Sequence, residues 1–266
     1  MTAPEPLEPL TEDWTKALAV VAHPDDLEFG AAAAIARWTA QGKEIVYCLL
    51  TSGEAGIDGI APAESGPLRE AEQIESARVV GVDTVEFLGQ PDGTIEYGVP
   101  LRRLITQAIR RHQPEIVITN NFRDTWDGDA LLNQADHINT GRATLDAVRD
   151  AANRWIFPDD GQRWNSVRQV WASGSPSSKH AVDTTETFDL GVESLKGAQG
   201  VHRGPQLAAF RPGGVPRRHL PHDRHTPRHH LRGAVRGVHR LIRTDRSCVV
   251  HLVFSGSELR TWQTRG

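Results

Sequence analysis

Residues 23–28, HPDDLE, place a histidine, a proline and two adjacent aspartates directly after the apolar run ALAVVA. His23 and Asp26, three residues apart on a turn stiffened by Pro24, can both reach one divalent ion, which leaves Asp25 free. A hydrolytic metal site uses three protein ligands and keeps a position open for water. His137, in the segment NQADHINTG, is the candidate third ligand, and Asp25 is placed to take a proton from the attacking water. The plainer alternative is a capped helix: Asp-Asp pairs often close a helix N-terminus, and a single histidine there is often a cap or surface group.

The surrounding sequence sets these residues at the ends of strands. Residues 17–22 form a continuous apolar strand, and GAAAAIARWTAQG (30–42) is a helix stopped by glycine. Strands at EIVYCLLTSG (44–53), TVEFLG (84–89) and EIVITNN (115–121) alternate with helices at about 69–80, 100–114 and 135–152. SVRQVWASGS and HAVDTT add two strands before a last helix at FDLGVESLK. Alternating strands and helices, with strands apolar on both faces, predict a mostly parallel sheet covered on two sides. Such sheets bind ligands beyond the carboxyl ends of their strands, where His23, Asp25 and Asp26 fall.

The turn AHPDDLEFG, followed in order by TSGEAG, LREAEQIESARVVGV, LGQPDG and ADH, resembles the PIG-L/LmbE family of metal-dependent N-deacetylases over about residues 15–196. The resemblance implies a Rossmann-like fold and zinc held by His23, Asp26 and His137. It implies Asp25 as general base, hydrolysis of an acetamide on an amino-sugar conjugate, and Arg69 and Asp92 facing the sugar. Zinc is not fixed by such a donor set, which also accepts iron(II) or cobalt(II). The family's second motif reads His-x-Asp-His, and here its first position is Gln134. A glutamine amide can hydrogen-bond an oxyanion but cannot supply a proton at neutral pH. Asp136 can orient a ligand or cap the following helix, and Trp126 can stack on a sugar ring or pack its loop.

Charge divides the chain. Residues 1–196 carry 17 Lys and Arg against 31 Asp and Glu, whereas residues 197–266 carry 13, all arginine, against 3, with eight of the twelve histidines. The sequence therefore suggests a deacetylase-like domain at 1–196 and an irregular Arg/His-rich tail at 197–266. A nucleic-acid-binding tail and a histidine-rich metal tract are two readings of this tail. The favoured third is out-of-frame translation: deleting one base from a permitted coding of residues 197–203 yields AHKEYI after Lys196, in keeping with the acidic, helical first part. On that reading the tail is poorly ordered and the sheet edge it would cover is bare, leaving an inactive homologue as one alternative.

Other function classes find less support. No G-x-G-x-x-G follows the first strand, which argues against a dinucleotide-binding domain, although a non-catalytic sugar- or nucleotide-binding protein is the main alternative. No run of eighteen apolar residues exists, the N-terminus is acidic and proline-rich, and two cysteines are too few for a disulfide framework. A cytoplasmic enzyme with a small-molecule amino-sugar substrate and no nucleic-acid or membrane partner is expected. A homo-oligomer is left open.

Overall fold

The computed structural model describes residues 7–126 and 131–197 in full and the backbone of 247–255. In chain order the elements are β1 (Glu8–Pro9), β2 (Lys16–Val21), α1 (Asp26–Gly30), α2 (Ala32–Ala40), β3 (Glu44–Leu49) and α3 (Pro62–Val79). There follow β4 (Thr84–Phe87), α4 (Val99–His112), β5 (Ile116–Asn120), β6 (Thr125–Trp126) and β7 (Leu131–Leu132). The series closes with α5 (Ala135–Ala152), β8 (Gln169–Ser173), β9 (His180–Asp183), α6 (Phe188–Gly197) and β10 (Ser247–Ser255).

The main sheet runs β1-β9-β10-β8-β5-β2-β3-β4, and β6 pairs with β7 in a separate two-stranded ribbon. From β4 through β3, β2 and β5 to β8 every pairing is parallel. The chain leaves β2 toward β3 and β4, then returns to the other side of β2 as β5. The strand order reverses between β2 and β5, which opens a crevice at their carboxyl ends. This is the doubly wound α/β architecture that the alternating pattern predicts.

Strand alternation divides the core. Ala17, Ala19 and Val21 of β2 pack with Leu27, Ile35 and Trp38, while Leu18, Val20 and Ala22 pack on the opposite face with Ile105, Ile109, Ala143 and Ala147. Each fully buried isoleucine contributes about 1.5–3 kcal/mol. Trp38 and Trp171 lie 5.3 Å apart between ring centroids, and Trp14 closes the cluster edge-on to both. Both halves of the core clamp β2, the strand that delivers His23.

Three features differ from the sequence expectation. The helix expected at 30–42 is α2, and Ala31, whose φ of −125° is not helical, separates it from the short α1 that ends at Gly30. α3 begins at Pro62, about two turns before Arg69, despite Pro67 inside it. Third, residues 247–255 of the expected irregular tail form β10, antiparallel to both β8 and β9. The run SCVVHLVFS is rich in β-branched and aromatic residues, and its backbone pairs the groups those two strands would otherwise present at an edge. The rest of the tail expectation, at 198–246 and 256–266, lies outside the described residues.

Candidate metal centre

β2 ends at Val21, and the chain turns over Pro24 so that the Asp26 N–H approaches the His23 carbonyl at 3.4 Å. Asp25 adopts φ 77° at the N-cap of α1, a left-handed backbone that aspartate tolerates better than most residues. The two adjacent carboxylates consequently diverge. Asp26 Oδ2 accepts the N–H groups of Ala22 at 3.1 Å and His23 at 2.9 Å, while its Oδ1 lies 3.0 Å from His137 Nε2. Asp25 Oδ2 instead lies 2.7 Å from Arg69 Nη2, and the Asp25 N–H donates to Gln73 Oε1 at 2.8 Å. Gly53 lets a neighbouring loop close on this turn: its φ is +64°, and a Cβ there would stand 3.0 Å from Pro24 Cδ.

His137 arrives on the first turn of α5 and completes a triangle of potential ligands. His23 Nδ1 is 3.3 Å from His137 Nε2 and 3.8 Å from Asp26 Oδ2. Tetrahedral ligands bound at about 2.0–2.1 Å stand about 3.3 Å from one another, so the spacing suits a small divalent ion. Among the described residues, His23, Asp26 and His137 form one of two groups whose ligand atoms all lie within 4.8 Å of one another.

The far side of each imidazole is held as well. His23 Nε2 lies 3.1 Å from Asp136 Oδ2 and 3.2 Å from Asp92 Oδ1. Asp136 is buried and accepts the Gly93 N–H at 2.8 Å and the Ile95 N–H at 3.1 Å. Asp92 Oδ2 accepts the Ala55 N–H at 2.8 Å, and the Asp92 N–H donates to Glu54 Oε1 at 2.8 Å, tying two loops together behind His23. His137 Nδ1 lies 2.9 Å from Asn133 Oδ1.

Electrostatics make this a site for a cation. Burial alone would lower the His23 pKa, but the carboxylates of Asp92, Asp26 and Asp136 reverse that effect and raise it to about 9. Burial also opposes ionisation of Asp26, yet His137 and His23 outweigh it and hold that carboxyl below its ordinary range. Burial pushes Asp25 upward against the opposing Arg69 guanidinium, giving a more basic carboxylate. These donors fit a divalent metal: two imidazoles and a carboxylate converge, and the pocket favours positive charge where they meet.

The structure thus brings His23, Asp26 and His137 together, with Asp25 beside them and Asp136 directed at His23. The N-cap of α5 is Gln134, exposed and without a side-chain capping bond, so Asp136 does not cap that helix. Arg69 and Asp92, expected to face a sugar, are both hydrogen-bonded to residues of the site itself. Arg69 is 13% exposed and bonds Asp25, the Pro24 carbonyl and Glu72, while Asp92 is 8% exposed and turned onto His23. Trp126 donates its Nε1–H to Asn133 Oδ1 at 2.8 Å, and its ring stands edge-on to His137 at 6.2 Å between centroids. Sequence reasoning missed Asn133 and Glu54. Glu54 sits within TSGEAG, a motif that could have flagged it, whereas nothing in the local sequence distinguishes Asn133.

Fold and site together define a doubly wound α/β protein whose candidate metal centre, built from two histidines and one aspartate, lies at its switch point. A family model described as PIG-L, GlcNAc-PI de-N-acetylase, matches residues 18–148. Diacetylchitobiose deacetylase of Thermococcus kodakarensis is 31% identical over 189 residues, which cover 69% of each chain. A 1D-myo-inositol 2-acetamido-2-deoxy-alpha-D-glucopyranoside deacetylase of Streptomyces scabiei is 25% identical over 197 residues, covering 64% of this chain and 59% of the relative. Among solved structures, N,N'-diacetylchitobiose deacetylase from Pyrococcus horikoshii superposes with a TM-score of 0.72 at 20% identity, covering 92% of this chain and 86% of that one. GalB, a 4-carboxy-2-hydroxymuconate hydratase from Pseudomonas putida, shares the fold at a TM-score of 0.60 and 19% identity, covering 90% of this chain and 96% of its own. The chain belongs to the PIG-L family.

Proposed function

We propose that this protein is a metal-dependent N-deacetylase that removes an acetyl group from a GlcNAc-type amino-sugar conjugate. The observation that carries the reading is the convergence of His23 Nδ1, His137 Nε2 and Asp26 Oδ1, with the Asp25 carboxylate left out of the donor set. The fold alone does not decide it, because a hydratase shares that fold. The Thermococcus kodakarensis and Streptomyces scabiei relatives are named as deacetylases of acetamido sugars, which supports the substrate class.

His23, Asp26 and His137 would hold a divalent ion, zinc in our reading with iron(II) or cobalt(II) as substitutes, which would supply Lewis acidity toward the attacking water and the acetamide carbonyl. Asp25 accepts the proton of the attacking water, a role suited to a carboxylate made more basic by burial. Arg69 holds Asp25 in place through the 2.7 Å contact. The Gln134 amide donates a hydrogen bond to the carbonyl oxygen as negative charge develops there. Because Gln134 cannot supply a proton, Asp25 also returns the proton to the departing amine.

None of the helices among the described residues is long and apolar enough to cross a membrane. We take the cytoplasm as its compartment, in keeping with Cys48, a buried free thiol. Residues 197–266 we read as an out-of-frame segment, which sequencing the gene across codon 197 would test directly. The deacetylase reading is tested by acetate release from N,N'-diacetylchitobiose and from a GlcNAc-inositol conjugate. Release that is abolished by chelation and restored by metal is expected; metal binding with no release from either supports the non-catalytic sugar-binding alternative.

A further inference from the structure

A ligand histidine works only if the correct ring nitrogen carries the lone pair, and for His137 that choice is made outside the donor triangle. Asn133 Oδ1 receives the Trp126 Nε1–H at 2.8 Å and the Gln134 backbone N–H at 2.9 Å. Indole and backbone N–H groups can only donate, so the atom they meet must be the amide oxygen. The Asn133 nitrogen confirms this orientation by donating to the Asn121 carbonyl at 2.8 Å and the Arg123 carbonyl at 2.9 Å. Flipping the amide would set a donor against two donors and an acceptor against two acceptors, so the network fixes which end is which.

The same oxygen lies 2.9 Å from His137 Nδ1. Facing an acceptor that cannot turn away, Nδ1 must carry a proton, which leaves Nε2, 3.0 Å from Asp26 Oδ1 and 3.3 Å from His23 Nδ1, as the nitrogen free to exchange its contact with Asp26 for a metal ion. We infer that Asn133 is the positioning residue that sets the tautomer of His137 for metal binding. This inference rests on the metal-centre reading. It also links the β6–β7 ribbon to the metal helix, because Trp126 and His137 share one acceptor.

The test separates the acceptor from the scaffold. Asn133→Ala removes both the acceptor and the two carbonyl bonds. Asn133→Asp keeps an acceptor toward His137 but sets a carboxylate oxygen against the Asn121 and Arg123 carbonyls. Both variants should melt below wild type, yet cobalt(II) affinity should fall about 10- to 100-fold in the alanine variant and stay within about threefold of wild type in the aspartate variant. Long-range 15N–1H spectra of the metal-free wild type at pH 8 should show a proton on His137 Nδ1, with or without a second one on Nε2 toward Asp26, and in Asn133→Ala the Nδ1 proton should be missing from part of the population. Equal loss of cobalt affinity in the two variants, or a wild-type His137 with no proton on Nδ1, would overturn the assignment. A wild type that binds no cobalt while His137 remains Nδ1-protonated would overturn the metal role and leave the tautomer argument standing.

Discussion

His23 Nε2 is shared by two carboxylates, Asp136 Oδ2 at 3.1 Å and Asp92 Oδ1 at 3.2 Å, and this sharing determines how the two aspartates respond to mutation. Asp92→Ala leaves Asp136 to accept the His23 proton and frees the N–H of Ala55, an exposed residue that water can solvate, so about 1 kcal/mol of stability should be lost. Asp136→Ala leaves Asp92 on His23 but strands the N–H of Ile95, which is buried, and frees that of Gly93, which is exposed. Its cost should be about 2–3 kcal/mol. Only the double variant leaves the His23 N–H without a partner in a site where its side chain is 15% exposed. That adds a penalty neither single change incurs, so the double loss should exceed the sum of the singles by about 1–3 kcal/mol. Urea unfolding of the four chelated proteins measures the coupling. Additivity within about 0.5 kcal/mol would refute the idea that the two carboxylates serve one proton.

Three further outcomes follow from the same geometry. Asp25→Asn should keep about one metal per chain but slow turnover at least about 100-fold, whereas His137→Ala should lose both; equal metal loss in the two variants contradicts the roles assigned. In the metal-free protein the raised His23 pKa favours folding fully below about pH 6.5, and this stabilisation is lost as pH rises through about 9. The loss is about 3 kcal/mol, so the urea midpoint of chelated protein should fall over that window, and a flat profile would count against the carboxylate pocket. Glu28, raised to about 7 by burial, acts in the same direction in a lower window, and the Cys48 thiol, pushed up by burial, does so only from about pH 9 upward, so the interval from about pH 7 to 9 isolates His23. Finally, Gly53→Ala combines a φ of +64° with a Cβ 3.0 Å from Pro24 Cδ, and should cost about 1–2 kcal/mol in thermal denaturation; no loss of stability would show that the turn can relax.

Much of the fold was legible because its strands are buried on both faces and its helices end at glycines such as Gly42 and Gly81. α3 starts about two turns before the expected Arg69 and runs through Gly66 and Pro67, two residues of low helix propensity. In the structure Gly66 instead packs closely, with its Cβ position 3.4 Å from Glu54 Cβ, and tertiary contact overrides local propensity there. β10 was hidden because a strand's place in a sheet depends on partners far away in sequence, here β8 and β9.

The donor triangle was visible in the spacing of His23 and Asp26 and in His137 at the head of α5. The orientation of the residues around it was not. Arg69 and Asp92 are claimed by Asp25 and His23, groups 44 and 69 positions away, through hydrogen bonds that no local pattern encodes. Asn133 stayed hidden for the same reason, since its role depends on Asn121, Arg123, Trp126 and His137 meeting at one amide.

The most direct test of the account is metal content by elemental analysis, measured together with acetate release from N-acetylglucosamine conjugates, on the full chain and on its His137→Ala variant. The account predicts about one divalent ion per wild-type chain, acetate release that chelation removes and metal restores, and neither property in the variant. A wild-type chain that binds no metal would contradict it, and would reduce the His-Pro-Asp-Asp turn to a helix cap.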